Sequence, residues 1–231
     1  MNEHIHPDYT LLMPCLNEEN SLEYCISQAK EGVASLGLHA EILIADNGST
    51  DSSVDIAQRC GARVVHVKEK GYGAALLGGI KAARGRYIIM GDADGSYDFS
   101  HIEGFVQALQ AGHALVMGDR FAGGIEPHAM PPSHKVGVRV LSWLARLRFH
   151  TNVYDFHCGL RAFDREKALA LDLQCPGMEF AAEMIAKFAH SGASIAQTPV
   201  VLHRDRRERR PHLRTVRDGF RHLWLILRGV S

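Results

Sequence analysis

Short apolar runs alternate through the first half of the chain with longer stretches in which apolar residues recur every three or four positions. Residues 9–13 read as a strand closed by Pro14, residues 41–45 (Glu-Ile-Leu-Ile-Ala) as a second and residues 63–67 as a third. Between them, 17–32 carries Leu22, Cys25, Ile26 and Ala29 at helical spacing, with Asn20 or Ser21 placed to cap it, and 52–60 reads as another helix. The alternation continues with a helix holding Leu76, Leu77, Ile80 and Ala83, a strand at 87–90, a helix at 101–111 and a strand at 114–117. Residues 121–133 have a mobile-loop composition, with Gly123, Gly124, Pro127, Pro131 and Pro132; long loops of this kind often cover active sites. Helical periodicity returns at 136–149, with Val140, Leu141, Leu144 and Leu147 on one side, and at 177–190, with Phe180, Met184 and Phe188 as the apolar face. Residues 155–163 are polar and then apolar. Strand and helix in alternation predict an α/β fold, an open, mostly parallel sheet with helices on both faces.

Ligands of such sheets sit outside the carboxyl ends of the strands. Polar clusters at Asn17-Glu18, at 46–51 and at 92–98 each follow a predicted strand directly, so three loops converge on one edge. The last is the most specific: an apolar strand breaks at Gly91 into Asp92, Asp94 and Asp98. Carboxylates delivered to a sheet edge suit Mg²⁺ or Mn²⁺ shared with substrate phosphates. A solvated Asp/Gly turn gives the same letters. Lys70-Gly71-Tyr72-Gly73-Ala74-Ala75 opens the third helix with small residues. These fit either backbone N–H groups approaching a phosphate or close packing of the helix on the sheet, and the ATPase-type phosphate loop pattern is absent. Glu179 and Glu183 share a helical face, as a pair for acid/base work or as a solvated stripe.

A length of 231 residues, 46% hydrophobic and 23% charged, fits a globular protein of one large domain or two small ones. Formal charge is zero, yet nine Arg against three Asp/Glu fall from His203 onward, leaving the body near −6 and the tail near +6. That asymmetry points the tail at something anionic. The five cysteines, an odd set with no Cys-x-x-Cys pair, read as reduced thiols of a cytosolic protein. No secretory signal is evident, and no run approaches the ~20 apolar residues that cross a bilayer.

Five segments, in order, resemble the motifs of glycosyltransferase family 2: Pro14-Cys15-Leu16-Asn17-Glu18, 45–51 (Ala-Asp-Asn-Gly-Ser-Thr-Asp), Gly71-Tyr72-Gly73-Ala74-Ala75, Gly91-Asp92-Ala93-Asp94 and Gly118-Asp119-Arg120-Phe121. The likeness spans residues 9–227 and is strongest to the polyprenyl-phosphate branch, the dolichol-phosphate mannose synthase type. It implies a GT-A (Rossmann-like) fold over 1–214, a nucleotide-sugar donor, a divalent cation and inversion at the sugar carbon. On matched positions it implies that Pro14, Leu16, Asn17, Glu18, Asp46 and Asn47 line the nucleoside pocket, that Gly71 and Gly73 lie near the phosphates, and that Asp92 and Asp94, flanking Ala93, hold the metal, with Asp94 essential for transfer. Two positions depart from the family pattern: Asn47 stands where a second Asp is frequent, and Ser96 where related synthases place a Gln ligand. Asp98 then reads as a cap for the following helix.

The acceptor sets the remaining chemistry. A lipid phosphate is already ionised and needs cations, for which Arg120, Lys135, Arg139 and Arg214 are the candidates; planar Arg forks suit phosphate. A hydroxyl acceptor needs a base instead, for which Asp155 or Glu179 would serve; an ion pair with Arg161, or loop capping, are their structural alternatives. From 215 to 231, Val216, Phe220, Leu223, Trp224 and Leu227 fall at helical spacing between Arg217, Arg221 and Arg228. That pattern fits a helix lying in a membrane interface, at the cytoplasmic face, or one packed on the domain. A nucleic-acid-binding module reading phosphates through the Arg-rich tail would explain none of the five upstream motifs.

Overall fold

A computed structural model of the chain describes residues 6–207 and 215–229. Seven strands form one sheet in the order β3-β2-β1-β4-β6-β5-β7. In chain order they are β1 (Tyr9–Cys15), β2 (Ala40–Asp46), β3 (Arg63–His66), β4 (Tyr87–Met90), β5 (Leu115–Asp119), β6 (Arg161–Asp164) and β7 (Ile195–Pro199). All neighbours are parallel except β6, which lies antiparallel between β4 and β5. The helices are α1 (Leu22–Ser35), α2 (Ser53–Arg59), α3 (Tyr72–Ala82), α4 (Glu103–Gln110), α5 (Arg120–Gly123), α6 (Pro132–Phe149), α7 (Arg165–Ala170), α8 (Phe180–His190) and α9 (Thr215–Arg228).

Side-chain alternation along each strand splits the core in two. Leu11, Met13, Ile44, Ile89 and Val116 face a layer with Leu22, Ile26 and Phe105, from α1 and α4. Leu12, Leu43, Ile88, Met90 and Leu115 face a second layer with Leu76, Ile80, Phe180 and Phe188, from α3 and α8. Helices therefore cover both faces, and the open, mostly parallel α/β sheet expected from the pattern is the one observed. Connections run from β1 to β2 on one side and place β4 on the other, so the crevice between β1 and β4 is the switch point where such sheets bind ligands. The antiparallel β6 enters at that same edge, bringing residues 155–160 beside it.

Several boundaries differ from the sequence expectation. The first helix starts at Leu22 rather than at residue 17, because Asn17 takes a left-handed φ of 56° and Ser21 turns its Oγ to the Ala93 carbonyl at 2.7 Å instead of capping the helix. The expected loop at 121–133 contains α5, buries Met130 and bridges Ile125 to Leu202. Leu141 and Leu144 are half-buried, but Val140 and Leu147, expected on one side of α6 with them, are exposed. The short edge strand β7 was not foreseen: its residues, Ile-Ala-Gln-Thr-Pro, are all at least partly exposed and carry no apolar run.

Candidate active site

The loops after β1 and β2 are tied together by short polar side chains. Asn17 Oδ1 accepts from the Thr50 N–H at 2.7 Å, and its own N–H donates to Ser49 Oγ at 2.9 Å. The Glu18 N–H donates to Ser53 Oγ at 2.8 Å, and Glu19 and Ser52 are linked at 3.1 Å. They enclose a cleft of about 350 Å³ lined by Asn17, Glu18, Glu19, Thr50, Asp51 and Arg207. At the strand ends behind it, Pro14 pairs with Ala45, Leu16 is half-buried and Asp46 is buried. Burial pushes the Asp46 carboxyl up, but hydrogen bonds from Ser49, His66 and Gly48 outweigh it and hold the group below its ordinary range.

Asn47 is fully used by the fold. Its Nδ2 donates to the carbonyls of Val67 (3.1 Å) and Glu69 (2.6 Å), and its Oδ1 accepts from the Gly71 N–H at 2.9 Å. An Asp here has no N–H to offer those two carbonyls, which accounts for the departure from the family pattern. The Gly71 N–H is thereby occupied, and the Ala74 N–H donates to Pro176 O at 3.1 Å. A Cβ on Gly71 would come within 2.1 Å of Pro176 O, and one on Gly73 within 2.1 Å of Cys175 O. Both glycines thus admit the backbone of 175–177, and the Gly71 N–H is already taken by Asn47.

Asp92 and Asp94 stand on the loop that leaves β4. Asp92 Oδ1 accepts from Tyr72 OH at 3.0 Å, and Gly159 sits so close that a Cβ there would meet Asp92 Oδ2 at 2.5 Å. Burial, together with the neighbouring Asp94 charge, raises the Asp92 carboxyl to about 6. Asp94 is buried, and its Oδ1 accepts from the Ser96 N–H (2.9 Å) and Oγ (2.6 Å). Ser96 therefore braces Asp94 by an Asx-turn. Asp51 with Ser53, and Asp98 with Ser100, repeat the same Asp-x-Ser geometry. Asp98 thus caps the turn before α4, joined by Gln28 at 2.9 Å, while the N-cap position of α4 is Ile102.

A strap leaving β7 crosses this loop. The Leu202 N–H donates to Gly124 O, that of His203 to Ser96 O and that of Arg206 to Asp94 O, at 2.8–2.9 Å. The Arg206 guanidinium stacks 3.5 Å over the Tyr24 ring. Arg207 then inserts its guanidinium between Asp94, to which Nη2 donates, and Glu18, at 3.6 Å. Nothing in the sequence separated Arg207 from the other arginines of 204–214; only its distance from β7 selects it.

The remaining candidates are dispersed. Arg120 and Asp155 are paired with each other, in a buried bidentate contact, rather than Asp155 with Arg161. Arg161 instead donates to the carbonyls of Cys158, Ala181 and Phe156. Glu183 is buried and accepts from the N–H groups of Gln174 and Cys175, while Glu179 meets Arg221 of α9 at 3.7 Å, so the two do not act as a pair. Lys135 is half-buried in the first turn of α6. Arg139 lies 4.6 Å over the Phe121 ring, in a groove of about 520 Å³ with Asp119, Trp143, Arg146 and Tyr154. Arg214 lies outside the described residues.

Residues 10–172 match the family model described as glycosyl transferase family 2. The chain belongs to that family. Its GT-A fold is shared with glucosyl-3-phosphoglycerate synthase from Mycobacterium tuberculosis, solved with Mn²⁺, UDP-glucose and phosphoglyceric acid: TM-score 0.74 and 22% identity, over 96% of this chain and 78% of that one. The Haloferax volcanii low-salt glycan biosynthesis hexosyltransferase Agl6 is 36% identical over 225 residues, which are 96% of this chain and 54% of the relative. A dolichyl-phosphate hexose transferase of the same organism is 28% identical over 87% of this chain and 85% of its own length. The β1/β4 edge, where the polar loops after β1, β2 and β4 converge, is the active-site candidate. Tyr72, Gly159 and Arg207 complete that edge. Tyr72 lay inside a quoted motif between two glycines, whereas Gly159 and Arg207 carried no signal of their own.

Proposed function

We propose that this glycosyltransferase moves a hexose from a nucleoside-diphosphate donor to a polyprenyl phosphate, with inversion at the sugar carbon. The observation that carries the reading is the position of two kinds of surface around one sheet edge. A carboxylate-bearing cleft follows β1 and β2 and is joined through Arg207 to Asp94 on the loop after β4, and an Arg-rich, aromatic groove follows β5. The dolichyl-phosphate hexose transferase relative supports the acceptor class.

Asp92 and Asp94 would hold the divalent cation. Among the described residues no group of three or more His, Cys, Asp or Glu side chains is placed to hold a metal. The two-carboxylate set fits Mg²⁺ or Mn²⁺, which complete their shells with phosphate oxygens and water. The Arg207 guanidinium beside the Asp94 carboxylate supports a cation-binding role for that position, and a metal there would compete with it. When bound, the ion neutralises charge on the leaving diphosphate. Asn17 and Glu18 line the nucleoside side of the cleft, Asp46 braces its floor through Ser49, and Tyr72 orients Asp92. Arg139 and Arg146 offer planar donors to an acceptor phosphate, which is ionised and needs no base. Arg120 and Asp155, committed to each other, hold the segment entering β6 in place behind Asp92. On this reading residues 1–214 are the catalytic domain, the segment 215–231 contacts the membrane through α9, and the enzyme works at its cytoplasmic face.

A hydroxyl acceptor is the second reading, favoured by the solved relative's complex with phosphoglyceric acid. Glu179, whose Oε2 receives no hydrogen bond within the described structure, is then the base to test. Transfer assays with Mn²⁺ and a panel of nucleotide sugars, offering either a polyprenyl phosphate or phosphoglyceric acid, separate the two. Lipid product that disappears in Asp94→Ala supports the proposal; product only from the hydroxyl acceptor overturns it.

A further inference from the structure

Helix α6 is apolar on two sides. Its core-facing side buries Val138, Ser142 and Ala145, with Leu141, Leu144 and Phe149 partly buried against the core, and Ser142 spends its hydroxyl accepting the Phe156 N–H at 3.2 Å. Its outward face carries Val136 (64% exposed), Val140 (51%), Trp143 (56%) and Leu147 (57%), four large apolar side chains at the spacing of one helical stripe. An ordinary surface helix puts such residues inward. Alongside it, α9 packs on α6 and turns His222 and Ile226 inward, leaving Trp224 and Leu227 each 66% exposed. Arg148 of α6 reaches the end of α9, where a Cβ on Gly229 would meet its Nη2 at 2.6 Å. Of the ten large apolar side chains exposed among the described residues, six lie on these two adjacent helices. Such concentration marks a surface that is covered in use.

Charge decides what covers it. Helix α6 carries Lys135, Arg139, Arg146 and Arg148 and not one Asp or Glu. Arg221 and Arg228 are exposed on α9. A second copy docking through a two-fold axis would set these cations against themselves. An anionic lipid surface instead pairs with the arginines while the stripe enters the acyl boundary, and tryptophan favours that depth. Both tryptophans of the chain, Trp143 and Trp224, are on this surface.

We propose that α6 and α9 together form a docking surface for an anionic bilayer, with the α6 stripe rather than the tail helix alone as its apolar part. This rests on, and deepens, the reading of a lipid acceptor: the groove of Arg139, Trp143, Arg146 and Tyr154 lies along the same helix, so docking sets it at headgroup level.

Intrinsic fluorescence reads the proposal directly. Vesicles of phosphatidylglycerol with brominated acyl chains are expected to shift the tryptophan emission to the blue and quench it, while phosphatidylcholine vesicles bind at least about tenfold more weakly. The double variant Val140→Asp/Leu147→Asp is expected to lose at least about tenfold in partition, with an unchanged melting temperature and unchanged transfer to a short, water-soluble prenyl phosphate. Full vesicle partition by that variant, unquenched tryptophans, or a dimer detected by light scattering that buries both tryptophans without lipid would overturn it. Should vesicle docking hold while no polyprenyl phosphate is glycosylated, the acceptor reading fails and the docking surface stands.

Discussion

Arg120 and Asp155 close a two-pronged ion pair inside the protein, Nε to Oδ2 at 2.6 Å and Nη2 to Oδ1 at 2.8 Å. Asp155 is wholly buried and Arg120 nearly so. The pair fastens the end of β5 to the segment that enters β6, and that segment places Gly159 against Asp92. Removing one partner strands a buried charge. Asp155→Ala is therefore expected to cost ~3–5 kcal/mol, whereas Arg120→Leu/Asp155→Leu recovers much of that loss. Urea unfolding midpoints of the single and double variants check this; a single variant as stable as the wild type would show that the pair holds nothing.

Arg207 occupies, with its guanidinium, the charge position that a metal ion would take beside Asp94. Two cations next to one carboxylate oppose each other. Arg207→Met is expected to bind Mn²⁺ several-fold more tightly than the wild type in the absence of nucleotide. Electron paramagnetic resonance of free Mn²⁺ measures the change, and equal affinities would mean that the strap and the metal do not compete.

Metal binding is also expected to depend on pH through Asp92. Burial and the adjacent Asp94 raise its carboxyl to about 6, above its unfolded value. Metal ligation requires the carboxylate, which prevails above that pH and is replaced by the protonated form below it. Mn²⁺ affinity should thus weaken as pH falls through about 6, by up to tenfold per unit for one competing proton. The same shift runs the other way for the metal-free fold, which gains stability as pH drops from about 6 toward the unfolded value. A flat Mn²⁺ affinity from about pH 8 to about pH 5 would contradict the assignment.

The strand ends were legible in the sequence because a strand buried on both faces must be apolar, and its polar end therefore stands out. Tyr87 to Met90 followed by Asp92 and Asp94 shows this most plainly. Where burial is partial the signal fades: β7 is an edge strand of mixed residues, and β6 follows a polar stretch. The α6 stripe misled for a physical reason. Periodicity identifies which residues share a face but not whether that face meets the core, and here Leu141 and Leu144 turn partly toward the core while Val140 and Leu147 face outward. Contacts between distant segments, such as Asp155 with Arg120 or Arg207 with Asp94, depend on how the sheet is ordered, and no local pattern of residues encodes them.

Asn47 offers a last test in which the sequence departure itself is the variable. Its amide donates to Val67 O and Glu69 O and accepts from the Gly71 N–H. Asn47→Asp restores the residue frequent in the family but points a carboxylate oxygen at two carbonyls, leaving both without a donor. The expected loss is ~1–3 kcal/mol, the cost of two part-buried hydrogen bonds lost with added repulsion. Protonation gives the carboxyl one donor back, so its folded pKa must rise above its unfolded value of ~3.9. The deficit relative to wild type is then full at neutral pH and shrinks as pH falls through the raised pKa. Thermal unfolding of both proteins at about pH 8 and about pH 5 measures it. A deficit that stays constant, or none at all, would mean that the loop from Val67 to Gly71 does not depend on the Asn47 amide.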